Sequence, residues 1–242
     1  MKKTELSEVH WIKADTDDFF SDKSKYTFVS HIVPKRYTHY CKIFHPMYRD
    51  NNIKDDTIFW PETDPNEPIV FDVGEKITFQ QFCAKYNVPF SKEVSTQSIL
   101  RKMDLPRYII APTEGEIEED LMKEIVKTIK PFSINQQVYF YFDFMKIKDF
   151  WSVGKSDDDE LLYKGELNEV FDFYKHEAVY LTPTYWWPED KSWCICNDHD
   201  LDFTLVGGTK DFITSLLNNK ELEAFEVFPN TRIDYKADED TK

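Results

Sequence analysis

The sequence predicts an α+β fold: a mixed, largely antiparallel sheet with helices packed on it. Strand-like runs rich in aromatic and branched residues alternate with segments of helical periodicity, the pattern of helices laid on a sheet. The neighbouring runs and their aromatic alternation favour antiparallel pairing over a purely parallel sheet. The composition can fill such a core, because 16% of the 242 residues are aromatic, and each buried ring contributes roughly 150–250 Å². At this length folding hides roughly 70–75% of the extended chain's surface, so no disulfide or metal staple is needed.

Taken in order, the segment to Asp22 is polar with one aromatic cluster, Trp11-Ile12 and Phe19-Phe20. Tyr26–Val29 and Tyr40–Phe44 read as strands joined by an extended Val33–Tyr37 link. Residues 46–76 hold four prolines among many Asp and Asn, which predicts a long irregular excursion. Thr78 then opens a helix with Phe79, Phe82 and Tyr86 on one side, and 91–102 reads as another. After Tyr108-Ile109-Ile110, Thr113 and Glu116 fit a capping box, and Ile117, Leu121, Ile125 and Ile129 form one apolar stripe that Pro131 closes. Val138–Phe144 is aromatic enough to be a central strand. Leu161–Tyr163, a short helix through Val170 and Tyr174, and Ala178–Leu181 repeat the plan. Phe203–Val206, a helix with Phe212, Ile213, Leu216 and Leu217, and Leu222–Val227 repeat it again. Residues 152–160 read as a charged loop.

Composition narrows the partners. A formal charge of −15 repels phosphate backbones and anionic bilayers, so neither nucleic acid nor a membrane is expected. The same field suits a basic protein partner, or simply keeps the chain soluble. The N-terminus lacks the apolar stretch of a secretory signal and no window reaches ~18–20 apolar residues, so the expected location is cytoplasmic. Cys41, Cys83, Cys194 and Cys196 lack paired zinc spacing and read as buried free thiols. No cofactor motif is complete, and none is expected.

Between Tyr185 and Gly208 fall three tryptophans, five acidic side chains and a glycine pair. Trp186, Trp187 and Trp193 can pack a turn against the sheet, supply an interface, or line a ligand pocket in which Glu189, Asp190, His199 or Asp200 would be the polar groups. Asp198, Asp200 and Asp202 would share one face if extended, pointing to solvent or holding a divalent cation, although the calcium-loop spacing is absent. Gly207-Gly208 lacks the phosphate-loop pattern, and reads as a tight turn that lets Thr209 cap a helix. His39 and Cys41 share strand parity, but no third group completes a nucleophilic set.

The run Trp186-Trp187-Pro188-Glu189-Asp190-Lys191-Ser192-Trp193-Cys194, with Asp198-His199-Asp200-Leu201-Asp202 and Thr204–Gly208, resembles the C-terminal signature of a family of uncharacterised bacterial proteins. Ile43–Arg49, Leu162–Leu167 and Leu222-Glu223-Ala224 extend the resemblance over most of the chain. It implies no activity and no catalytic residue. The organisation expected is an N-terminal region 1–105, a C-terminal region 106–235 carrying the signature, or one continuous domain, and a disordered tail 236–242. The function expected is a non-catalytic binding or interaction protein, with toxin inhibition as one form. The alternative is an enzyme or ligand-binding protein with a pocket near Trp186–Trp193.

Overall fold

The alternation in Val138-Tyr139-Phe140-Tyr141-Phe142 sets the architecture. Every residue of this strand is buried, and successive side chains enter different cores. Val138, Phe140 and Phe142 face one core, and Tyr139 and Tyr141 face the other. The computed structural model describes residues 1–18, 25–60, 69–143, 160–175 and 182–239. Phe19-Phe20, Phe144, most of the 152–160 loop and Ala178–Leu181 lie outside the described residues.

The strands are β1 (Lys2–Lys3), β2 (His39–Phe44), β3 (Met47–Asp50), β4 (Val73–Ile77), β5 (Ile109–Ile110), β6 (Val138–Phe142), β7 (Leu161–Gly165), β8 (Tyr185–Pro188), β9 (Cys194–Cys196), β10 (Phe203–Gly208) and β11 (Ala224–Val227). Eight of them form one sheet in the order β1-β7-β6-β8-β9-β10-β2-β11, and three form a smaller sheet, β4-β3-β5. The fold is therefore α+β. Every pairing between described strands is antiparallel, so the parallel component of a mixed sheet is absent among them. The reason is visible at β10 and β11, which run the same way but are separated by β2, antiparallel to both. The large sheet thus draws β1 and β2 from the first fifty residues and the rest from beyond 137.

The helices are α1 (His10–Asp15), α2 (Val29–Ile32), α3 (Phe79–Tyr86), α4 (Thr96–Leu100), α5 (Glu119–Ile129) and α6 (Lys210–Leu217). One face of the large sheet carries α5, α6 and the 3-10 segment Leu167–Lys175, burying Leu121, Ile125, Ile129, Phe212, Ile213, Leu216 and Val170. The other face is covered by Val9, Ile12, Val29 and Val33 from the N-terminal turns. A third core, with Met47, Phe79, Phe82, Val94, Ile99 and Ile109, joins the small sheet to α3 and α4. Phe44, at the end of β2, belongs to that core and connects the two sheets.

Several expectations are corrected. Tyr26–Val29 is no strand: Phe28 makes a single bridge to Arg232 before α2 begins. The 46–76 excursion contains β3 and β4, paired with each other. The 91–102 helix shrinks to α4, capped by Ser95. The helix expected from Thr113 begins at Glu119. Gly115 takes φ 72° and spends its N–H on the Leu201 carbonyl at 3.0 Å, while Ile117 N–H goes to Thr182 Oγ1 at 3.1 Å. The left-handed Gly115 and the diverted Ile117 N–H interrupt a helix there, and Glu116 N–H, the donor a capping box would use, goes to the Thr113 carbonyl at 3.4 Å instead. Within the tail expected from 236, the described residues Ala237–Glu239 form a 3-10 turn, and Asp238 meets Lys102 at 2.6 Å.

The glycine pair is corrected too. Gly207 and Gly208 lie inside β10, and among the described glycines only Gly115 has positive φ. They are small because neighbours are close. A Cβ on Gly207 would stand 2.5 Å from Tyr37 Cδ2 and 2.9 Å from Val33 Cγ1. Thr209 still caps α6, its side chain accepting from Phe212 N–H. Gly207→Ala is therefore expected to cost about 1–3 kcal/mol by overpacking, read as a lower urea midpoint with unchanged m. An unchanged midpoint would mean that Tyr37 can yield.

Candidate functional site

The hairpin β8–β9 is anchored by its tryptophans. Trp186 and Trp187 are adjacent on β8 and enter opposite cores. Trp193 stacks on Phe212 with ring centres 5.5 Å apart and stands perpendicular to Trp186 at 5.9 Å. Trp187 stacks on Tyr139 at 5.3 Å and meets the edge of Trp11 at 5.8 Å. All three are at most 1% exposed. The three rings therefore pack as core on both faces of the sheet rather than lining an open pocket.

Glu189 and Asp190 form the turn at one end of this hairpin. Glu189 is exposed and pairs with Lys164, which lowers its carboxyl pKa. Asp190 accepts from Ser192 N–H at 2.9 Å and from Gln136 Nε2 at 2.8 Å. Burial raises its carboxyl, but these hydrogen bonds outweigh it and the net shift is downward. Strand β9 lies between this turn and the Asp198–Asp202 loop, so the two groups of polar residues do not converge as one site.

The 198–202 loop belongs to a different feature, an open cleft of about 910 Å³. One side is the loop itself with Glu114, tied together by the Gly115–Leu201 hydrogen bond. A Cβ on Gly115 would lie 2.8 Å from His199 Cα, so the glycine permits this close approach. The other side is Lys25–Thr27 with Arg232–Lys236, joined by the Ile233 N–H to Thr27 carbonyl bond at 2.9 Å. Six carboxylates line the cleft (Glu114, Asp198, Asp200, Asp202, Asp234 and Glu239) against the cations Lys25, Arg232 and Lys236.

The aspartates do not share one face as an extended strand would require. The chain turns at His199-Asp200, where Asp200 N–H bonds Asp198 Oδ1 at 3.0 Å. Asp202 is buried and accepts from Thr96 N–H at 2.7 Å, holding the start of α4. The Asp198–Asp200–Asp202 metal grouping is therefore not assembled. Instead, ligand atoms of Asp143, Asp198 and His199 lie within 4.8 Å of one another. His199 Nδ1 is 3.9 Å from Asp143 and 4.0 Å from Asp198, and Nε2 is 3.7 Å from Asp200. Asp143, Asp198 and His199 are the described residues that could together meet a divalent cation. Burial holds the Asp198 carboxyl above its ordinary value. Sequence reasoning missed Asp143 and Gly115, because nothing in the local pattern pairs them with a loop so distant in the chain.

Behind the cleft wall, Lys42 of β2 is wholly buried. Its Nζ donates to the Val94 carbonyl at 2.6 Å and sits 3.8 Å from the centre of the Phe203 ring. Burial pulls its pKa down to about 8, against the attraction of Asp202, Glu93 and Asp238. Nearby, His45 Nε2 lies 2.9 Å from Thr204 Oγ1, and burial holds the ring's pKa at about 3. The four thiols are free and buried; burial raises each of them, Cys83 to about 11. A thiolate nucleophile is thereby disfavoured at all four positions.

No protein-family model, curated protein or solved structure matches the chain. Among the described residues, no helix is long and apolar enough to cross a membrane.

Proposed function

We propose that this is a non-catalytic interaction protein whose acidic cleft engages a basic protein partner, inhibition of a basic toxin being one form such an interaction would take. The observation that carries the reading is the excess of carboxylates over cations around the cleft, on a chain whose formal charge is −15. Such a field steers and orients an oppositely charged partner. The chemistry at the cleft supports the same reading: its lining offers carboxylates, tyrosines and amines, groups suited to ion pairs and hydrogen bonds with a protein partner. The resemblance to uncharacterised bacterial proteins, carried by the tryptophan signature, assigns those tryptophans no role beyond the core packing described above.

Reversing the loop's charge with Asp198→Lys and Asp200→Lys is expected to weaken partner binding by at least about tenfold, with the fold retained. Quantitative affinity capture from the source cells, with the original and reversed chains compared side by side, provides the measurement. A stoichiometric basic protein retained by the original chain alone supports the proposal. Equal retention by both chains would move the interface elsewhere.

A further inference from the structure

We infer that the hollow between α3 and the small sheet is an anion site whose cations are engaged by the chain's own Asp56, and that a small organic carboxylate takes its place. The hollow measures about 230 Å³ and, among the described residues, shares no lining residue with the acidic cleft. It goes beyond the interaction reading and does not rest on it. Its charge is the reverse of the chain's. Acidic side chains outnumber lysines and arginines 45 to 30 overall. Among the described residues, this lining sets Arg49, Lys76 and Lys85 against one carboxylate, Glu75.

Two of those cations already hold a carboxylate. Arg49 Nη2 donates to Asp56 Oδ1 at 2.6 Å, and Lys85 Nζ donates to Asp56 Oδ2 at 3.0 Å. The same cations share one ring: Arg49 Cζ and Lys85 Nζ each stand 4.6 Å from the centre of Tyr108. That ring is fixed by a 2.8 Å hydrogen bond between its hydroxyl and Tyr86. Two like charges over one ring repel each other, and pairs this open to solvent return little stability. An anion between the two cations offsets the repulsion, and Asp56 is the anion seen there. Hydrogen bonds from Arg49 and Lys85 hold its carboxyl below the ordinary value, so it is ionised at neutral pH. Asp56 lies on a turn, half-buried, and is no part of the hollow's wall, so it can yield its place without opening a core. Lys76 is exposed, makes no ion pair among the described residues, and adds a further charge. Ile77, Phe82 and Ile109 also line the hollow, giving an apolar body a surface beside the charged head.

The test titrates the full chain and its Asp56→Asn variant with benzoate, benzamide and inorganic phosphate at constant ionic strength, followed by amide chemical shifts. Benzoate is expected to shift the amides of 76–85 and 109, and to bind the variant at least about tenfold more tightly. The amide removes the competing charge there and keeps an acceptor oxygen. Benzamide, which has the ring without the charge, is expected to leave those amides in place. Adding Lys85→Gln, a change at an exposed side chain, is expected to weaken benzoate by about tenfold at unchanged Tm. Benzoate that leaves the variant's amides unmoved, or binds both chains equally, would overturn the inference. So would benzamide or phosphate binding as tightly as benzoate, or benzoate affinity untouched by Lys85→Gln.

Discussion

Trp193→Ala is expected to destabilise the protein by about 3–5 kcal/mol, the range for emptying a large aromatic from a packed core. The side chain is 1% exposed, lies flat on Phe212 of α6 and meets Trp186 edge-on. Its loss would therefore open a void between the hairpin and the helix layer. Equilibrium urea unfolding should report a lower midpoint at similar m. Glu189→Gln and Asp190→Asn, on the adjoining turn, should leave the midpoint nearly unchanged, since Glu189 is exposed and the Asp190 amide retains an acceptor oxygen. If Trp193→Ala left stability intact while abolishing binding, the ring would belong to a recognition surface instead.

Lys42→Met should act in the opposite direction, raising stability at neutral pH by about 1–3 kcal/mol, because an apolar side chain of similar length escapes the cost of burying a charge that has no salt-bridge partner among the described residues. Burial depresses the folded-state pKa from 10.5 to about 8. Below pH 8 both folded and unfolded chains hold the proton, and the penalty acts in full, about 3 kcal/mol for such a shift. Between pH 8 and 10.5 the folded chain releases the proton first while the unfolded chain keeps it. This site's contribution therefore makes stability rise with pH across that window and level off above it. The Met variant should lack this contribution, so its advantage over the original chain should shrink from pH 7 to pH 10.5. The Val94 carbonyl would lose its donor, which trims the gain by about 1 kcal/mol. Urea midpoints for both chains at pH 7, 9 and 10.5 supply the comparison, and a less stable Met variant at pH 7 would contradict the assignment.

The parts of the fold legible in sequence are those where one local pattern acts alone. The β6 alternation, the Leu121–Ile129 stripe and the Phe212–Leu216 face each specify an element, and each is buried as its period requires. Legibility fails where a distant partner decides. Thr113 and Glu116 satisfy a helix-start pattern, but Leu201 and Thr182 claim the nearby donors. Gly207 resembles a turn residue until Tyr37 is placed against it. The candidate site follows the same rule. Its loop was identifiable from the density of aspartates, but their division into one side chain anchored to α4 and two held around the loop's own turn depends on Thr96, His199 and Asp143. Lys42 gave no sequence signal at all, since a lone lysine in a strand ordinarily reaches solvent.

The insertion of β2 between β10 and β11 has a consequence for synthesis. As the chain leaves the ribosome, His39–Phe44 emerges with both backbone edges unpaired, and its neighbours at 203–208 and 224–227 arrive only after the intervening residues from 45 onward have been made. Until then the nascent polypeptide carries an apolar strand open to intermolecular pairing. Completion of the large sheet consequently waits for β10 and β11, and truncation anywhere before Val227 leaves that strand incompletely flanked.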